Sequence, residues 1–209
     1  MPKQPLIVGN PVFVVVDMQE GGGMIAADAG IPVMPGHAER VAIAERLLAS
    51  ARTAGIPVVF FQEVHRPSGV DFGRELDGVE GVHCVEGRAG TDLERTLRPE
   101  PGEFHIVKRR YSGFIGTDFE IVLRGLKAST LILVGGLTDV CVHYTFADAH
   151  QRDFYVRVVT DCVGGSSQYR HDAALDAMEY LQTGAMRTSD EILEAFESLS
   201  TPILEGATP

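Results

Sequence analysis

Three side chains with complementary chemistry stand at the ends of apolar runs. Asp17 closes the run at 11–16, Lys108 closes the run at 104–107, and Cys141 follows the run at 130–134 after Gly135-Gly136-Leu137-Thr138-Asp139-Val140. A thiol is nucleophilic only as its thiolate, and an unperturbed cysteine titrates near pH ~8.5. A carboxylate within reach can take the thiol proton, and a lysine ammonium favours the resulting anion. A glycine-containing turn that opens a helix supplies N–H groups and a helix dipole to a developing oxyanion. The combined chemistry is nucleophilic attack on a small carbonyl. Taken singly, the residues are ordinary: an Asp after a strand is a common turn residue, and a lone Cys is a small hydrophobe. Lys108 resembles a solvated strand end beside Arg109 and Arg110, yet it is one of three lysines (Lys3, Lys108, Lys127) among fifteen arginines.

These groups can meet only if the runs are neighbouring strands with their ends on one edge. The runs at 11–16, 57–61, 104–107, 130–134 and 155–159 are short, apolar and rich in β-branched or aromatic residues, the pattern of strands buried on both faces. A short sixth strand is expected around 184–186. Helical periodicity fills the intervals 37–54, 118–126, 140–153 and 171–182, and Thr188-Ser189-Asp190-Glu191 reads as a capping box for a last helix to about Glu197. Strands alternating with helices predict an α/β fold, a three-layer α/β/α sandwich around a mainly parallel six-stranded sheet, Rossmann-like in form. Ligands of such sheets bind beyond the carboxyl ends of the strands, where Asp17, Lys108 and Cys141 fall. The interval 62–101 is rich in glycine and charge, without clear periodicity, and is expected to be a functional loop. No repeat or linker interrupts the chain, so one domain over 1–209 is expected.

The 209 residues carry 18 Lys+Arg against 29 Asp+Glu, a formal net charge of −11, with 44% apolar residues. That apolar content builds a core, and the acidic surface disfavours nucleic acid and anionic membrane as partners. No apolar run reaches the roughly 20 residues of a membrane helix, and residues 1–5 carry no secretory h-region. Cys84, Cys141 and Cys162 form no CxxC pair, which argues against a disulfide framework or a cysteine zinc site. A cytoplasmic protein with free thiols is expected, with a small-molecule substrate.

Three motifs in order carry a family resemblance. Asp17-Met18-Gln19 after the first strand, Lys108 followed by Arg109-Arg110-Tyr111-Ser112-Gly113-Phe114, and a G-x-x-T-D-x-C-V stretch from Gly135 or Gly136 through Val142 resemble the isochorismatase-like cysteine hydrolases. That group includes nicotinamidases, N-carbamoylsarcosine amidases, ureidoacrylate amidohydrolases and biuret hydrolases, and the resemblance spans roughly residues 10–187. It implies a single isochorismatase-like hydrolase domain with a Cys-Asp-Lys triad. Cys141 attacks an amide or ureide carbonyl, Asp17 relays the proton to the leaving nitrogen, and Lys108 holds Asp17 ionised and lowers the thiol pKa. It further implies a non-proline cis peptide at Gly136–Leu137 that aims the N–H groups of Leu137 and Cys141 as an oxyanion hole. Isochorismatases proper lack the cysteine, so its presence points to C–N hydrolysis with ammonia release. Homodimers or homotetramers are also implied.

Nicotinamidases carry a metal site of the form D-x-H with a later His, and this chain offers Glu63-Val64-His65 and His83-Cys84-Val85. A carboxylate with two imidazoles suits Zn²⁺ or Fe²⁺. The departure is Glu for Asp, and the competing expectation is that Glu63 and His65 pair with Arg66 and Arg74; amide hydrolysis requires no cofactor in either case. Substrate contacts are expected from Gln19 and from Phe13, Phe72 or Tyr111 as stacking surfaces. With no Trp in the chain, small carbamoyl compounds and aliphatic amides are favoured over nicotinamide. Two other classes compete. A Rossmann-like nucleotide binder is suggested by Gly21-Gly22-Gly23 and Gly135-Gly136, but neither forms GxGxxG. A non-catalytic or thiol redox-sensing member acting through protein interaction is disfavoured by the complete triad.

Overall fold

The computed structural model describes residues 5–22 and 31–200. Six strands form one sheet: β1 (Asn10–Val16), β2 (Val58–Glu63), β3 (Phe104–Lys108), β4 (Ala128–Gly136), β5 (Tyr155–Gly164) and β6 (Met186–Arg187). Every pairing is parallel, and the order is β3-β2-β1-β4-β5-β6. The order reverses between β1 and β4, which creates the crevice where such sheets bind ligands.

The helices are α1 (His37–Thr53), α2 (Phe119–Gly125), α3 (His143–His150), α4 (Gln168–Leu181) and α5 (Ser189–Ser200). Alternate residues of β1 separate them into two layers, as strand geometry requires. Val12, Val14 and Val16 pack with Phe119 and Leu123 of α2, Phe146 of α3 and Met178 of α4. Phe13 and Val15 pack with Leu47 and Leu48 of α1 and Ile192 and Phe196 of α5. The three-layer α/β/α sandwich is the one expected. Among the described residues, no helix is long and apolar enough to cross a membrane.

The elements depart from expectation where polar residues were read as strand ends. β5 continues beyond Thr160-Asp161 to Gly164, and its register with β4 slips between the pairs Leu133↔Val158 and Gly135↔Val163. The slip turns Asp161 toward α5, where its carboxylate accepts from Ser189 N at 2.8 Å and Ser189 Oγ at 2.5 Å. Gly135-Gly136 belongs to β4 rather than to a turn. Gly135 has φ +111°, and a Cβ there would lie 2.0 Å from Val16 O, so only glycine permits this approach to β1. The capping box forms as expected: Thr188 Oγ1 accepts from Glu191 N at 3.3 Å, and Thr188 N donates to Glu191 Oε2 at 2.9 Å.

The connection from β2 to β3 contains only a short 3₁₀ turn at Glu75–Asp77 and isolated bridges, Gln19↔Leu93 and His65↔Val85. Local ion pairs brace it, including Arg66–Asp71 at 3.2 Å, Arg109–Asp71 at 3.0 Å and Arg74–Asp77 at 2.7 Å.

Candidate active site

Four strand ends converge at the crevice. Asp17 follows β1 with φ +48°, its N–H donating to Phe61 O of β2 at 3.2 Å. Glu63 ends β2 and lies in register with Lys108 at the end of β3. Cys141 lies in a wide, π-helical turn (Thr138–Val142) that runs into α3. Val140 N and Val142 N both donate to Leu137 O at 3.1 Å. The turn is clamped to the chain after β5, because Asp139 accepts from Ser166 N at 2.8 Å and Ser166 Oγ at 2.6 Å. His171 Nδ1 lies 2.9 Å from Thr138 Oγ1 on the same turn. The Gly136–Leu137 peptide is cis, as the resemblance implied.

Lys108 is completely buried and is the hub of the cluster. Its Nζ lies 2.8 Å from Asp17 Oδ2, 3.1 Å from Glu63 Oε2 and 3.4 Å from Cys141 Sγ. The Asp17 contact is an ion pair set off the axis of a hydrogen bond, since neither Asp17 oxygen has a partner of regular hydrogen-bond geometry. Cys141 Sγ also lies 3.6 Å from Glu63 Oε2. The structure thus brings together the three residues expected and adds Glu63, which the sequence suggested only as a metal ligand.

Electrostatics distinguish the two carboxylates. Burial raises the Asp17 pKa more than the Lys108 charge lowers it. Glu63 meets a burial penalty too, but Lys108 and hydrogen bonds from His65 and His83 outweigh it and hold the carboxyl well below its usual range. Burial likewise opposes the Lys108 ammonium, but Asp17, Cys141 and Glu63 together keep it protonated well above the ordinary lysine value. Burial pushes the Cys141 thiol up, Lys108 offsets only part of this, and the two carboxylates push it up further. The expectation of a depressed thiol pKa is therefore corrected. Lys108 acts against two carboxylates and desolvation, so the resting sulfur keeps its proton while a basic carboxylate stands by.

Behind Glu63 lies a second buried group of Glu63, His65, Glu75 and His83, whose ligand atoms all lie within 4.8 Å of one another. Glu63 Oε1 is 3.2 Å from both His65 Nε2 and His83 Nε2, and His65 Nε2 is 3.0 Å from Glu75 Oε2. The His65–Glu75 contact is a charge contact, because neither Glu75 oxygen makes a regular hydrogen bond. His83 Nδ1 lies 2.7 Å from Gly81 O and so carries a hydrogen. In the neutral ring this leaves a lone pair on Nε2, aimed at a carboxylate. Such a contact requires a proton or a cation between them. The alternative pairing of Glu63 and His65 with Arg66 and Arg74 does not occur: those arginines bind Asp71 and Asp77. Glu75 was not legible as a member, since it stands ten residues after His65 in a stretch without periodicity.

A cavity of about 350 Å³ opens beside Cys141, lined by Asp17, Glu63, Leu137 and Tyr111 among others, with Glu80 to Arg88 of the long connection along one side. Tyr111 Oη donates to Glu80 Oε2 at 3.2 Å. Gln19 also lines the cavity. Its side-chain amide is taken up, donating to Glu63 O at 3.0 Å and Thr91 O at 2.6 Å and accepting from Glu63 N at 3.1 Å. Gln19 therefore fastens the long connection to β2. Two expected stacking surfaces are corrected. Phe13 is fully buried in mid-strand against Phe196, four residues before Asp17, and is not part of the cavity wall. Phe72 is spent stacking on His65 at 4.0 Å and is not part of the cavity wall.

A family model described as the isochorismatase domain matches residues 11–191. The ureidoacrylate amidohydrolase RutB of Pseudomonas savastanoi pv. phaseolicola is 30% identical over 215 residues, covering 93% of this chain and 86% of that protein. The N-carbamoylsarcosine amidase of Thermoplasma acidophilum superposes with a TM-score of 0.71 at 28% identity, over 87% of this chain and 97% of that one. A cysteine hydrolase from Pseudomonas syringae pv. phaseolicola shares the fold with a TM-score of 0.81 at 24% identity, over 95% and 99% of the two chains. With a family match across nearly the whole sheet and a relative 30% identical over most of both chains, the chain belongs to the isochorismatase-like cysteine hydrolase family.

Proposed function

We propose that the chain is a cysteine amidohydrolase that releases ammonia from a small amide or terminal ureide through a covalent acyl-enzyme. The observation that carries this reading is the buried Lys108 ammonium in contact with Asp17, Glu63 and Cys141 at once. The amide- and ureide-cleaving relatives support the bond type. Asp17, made more basic by burial, takes the proton from Cys141 as Sγ attacks the carbonyl carbon. The N–H groups of Leu137 and Cys141 receive the oxyanion. Collapse breaks the C–N bond, and the proton on Asp17 passes to the leaving nitrogen to give ammonia. Water then attacks the acyl-enzyme; Asp17 takes its proton and returns it to sulfur as the acid leaves. Lys108 and Glu63 stay ionised throughout and fix the field in which that single proton moves. The test is an ammonia-release panel of nicotinamide, N-carbamoyl amino acids, biuret-like ureides and maleamate-like amides. Turnover of at least one is expected. Cleavage only of an ester or a vinyl ether would overturn the bond assignment.

The second group fits a divalent cation. Two imidazoles and two carboxylates, with the Glu75 oxygens buried without hydrogen bonds, form a donor set suited to Zn²⁺ or Fe²⁺. Glu63, His65, Glu75 and His83 would hold it, and a bound ion would supply Lewis-acid polarisation wherever a coordination position stayed open. The triad's own steps do not pass through it. Native protein dialysed against Zn²⁺ is expected to retain about one equivalent by elemental analysis, as a four-residue site requires. Glu75→Gln and His65→Ala are each expected to lower that stoichiometry or affinity by tenfold or more, roughly the effect of losing a ligand. Wild-type protein that retained no metal above the level of both variants would remove the metal reading and leave the triad untouched.

A further inference from the structure

The cavity wall opposite the acidic cluster holds a cation without an anion. Arg40 of α1 is half-buried and lines the cavity. Its guanidinium donates to Pro35 O at 2.8 Å and Met34 O at 3.2 Å, both main-chain carbonyls. Among the described residues, no carboxylate lies within ion-pair distance of it. Three of its five N–H donors remain for another partner. The buried Lys108 contacts Asp17 and Glu63, and His37 in the cavity wall lies 2.9 Å from Glu94. Arg88, exposed at the mouth, adds charge of the same sign as Arg40.

The seat of Arg40 is built into the sheet. Its Cζ lies 2.5 Å from where a Cβ on Gly164 would stand, so the guanidinium occupies the space of a missing side chain. Gly164 pairs in register with Gly136 of β4, the residue before Leu137. One strand spacing, about 4.8 Å, separates those two positions. A ligand whose carbonyl reaches the Leu137 end of β4 therefore brings a group a few bonds away to Arg40. Four single bonds span about 5 Å when extended.

We infer that Arg40 is a specificity-determining residue that receives a carboxylate on the substrate, about four bonds from the scissile carbonyl. The substrates are then small ureido or amido acids rather than neutral amides. This rests on the hydrolase reading above and names its substrate class. A guanidinium fork matches a carboxylate in two parallel hydrogen bonds. A monoanion neutralises the one half-buried cation, whereas a phosphate dianion would leave excess negative charge beside Asp17, Glu63 and Glu80. Burial also lowers the Arg40 pKa, outweighing the opposing charge effects of Cys162 and Glu39.

The test compares 3-ureidopropionate with its uncharged methyl ester in two measurements. Calorimetric binding to Cys141→Ala is expected to favour the acid by about tenfold or more, the scale of a desolvated charge-assisted contact. Adding Arg40→Gln should remove that preference while leaving ester affinity within about twofold, and Arg40→Lys should restore part of it. In the active enzyme, Arg40→Gln is expected to raise KM for the acid and leave kcat/KM for the ester within about twofold. An equal loss for acid and ester, or no preference for the acid in the parent, would overturn the inference. Arg40-dependent binding of the acid without any ammonia release would instead sink the hydrolase reading and leave the carboxylate site standing. Turnover of both compounds, unchanged by Arg40→Gln, would do the reverse.

Discussion

Cys141→Ala is expected to lose at least about 10⁴-fold in kcat/KM on whichever ureide or amide the wild type turns over, the scale on which removing a nucleophile acts in a coupled triad. The remaining Asp17 and Lys108 cannot form the acyl-enzyme, and what survives is binding and oxyanion stabilisation. The fold should persist. Cys141 is buried, so its loss removes one small apolar group from a clamped turn, costing about 1 kcal/mol. Cys141→Ser should be nearly as inactive, because a hydroxyl is far harder to deprotonate and Asp17 is the only base within the cluster free to act. Since burial and the two carboxylates hold the resting thiol protonated, alkylation of Cys141 at neutral pH should be slow, and it should quicken in Asp17→Asn, which removes one of those carboxylates and leaves Lys108 in place. Peptide mapping separates it from Cys84 and Cys162, whose burial also pushes their thiols up. Near-wild-type turnover by Cys141→Ala would end the mechanism; near-wild-type turnover by Asp17→Asn would end the role given to Asp17.

The sheet was legible because a strand covered on both faces leaves a continuous apolar run, as β1, β2 and β4 do, while the edge strand β3 shows a shorter run with His105 and Val107 exposed. The end of β5 was not, because Thr160-Asp161 interrupts the run with a polar pair whose purpose is a hydrogen bond to Ser189 of another layer. The same limit governed the site. Asp17, Lys108 and Cys141 each end or follow a run, so knowing the run ends placed them on one edge. Glu63 ends a run as well, but its pairing with Lys108 depends on β3 lying beside β2, an order that a linear pattern does not contain. Glu75 and Arg40 were out of reach for different reasons. Glu75 sits in an aperiodic connection held by ion pairs and by Gln19. Arg40 occupies the polar side of a helix start, where an unpaired arginine looks like surface until Gly164 is seen to make room for it. Phe13 is an aromatic of the right type in the wrong place, buried in mid-strand rather than at the carboxyl end where the cavity opens.

Lys108→Met is expected to be the most destabilising single change at the site and to abolish activity as well. The ammonium is wholly buried and contacts two buried carboxylates and the thiol. Removing it leaves those carboxylates without their shared cation, a loss of about 3–5 kcal/mol for a broken buried ion pair. For a chain of this length that corresponds to a fall in Tm of roughly 10 °C. The deficit should depend on pH with a definite sign. Without Lys108 the folded-state pKa of Asp17, already raised by burial, rises further, and that of Glu63 rises above its unfolded value near ~4. The folded variant then binds more protons than the unfolded chain, and its stability falls as pH rises from that unfolded value through the raised folded ones. The gap to wild type should therefore be small near pH ~4 and widest at neutrality. Activity should drop by about 10³-fold or more at every pH, because protonating Asp17 to relieve the repulsion removes the base that Cys141 needs. Lys108→Arg retains the charge, but a planar guanidinium cannot place one nitrogen within reach of Asp17, Glu63 and Sγ together, so it should recover stability more than turnover. Thermal melts and kcat/KM across that pH range check both parts. A Lys108→Met protein as stable as wild type at neutral pH, and within tenfold of its activity, would mean that the buried ammonium is not what holds this cluster together.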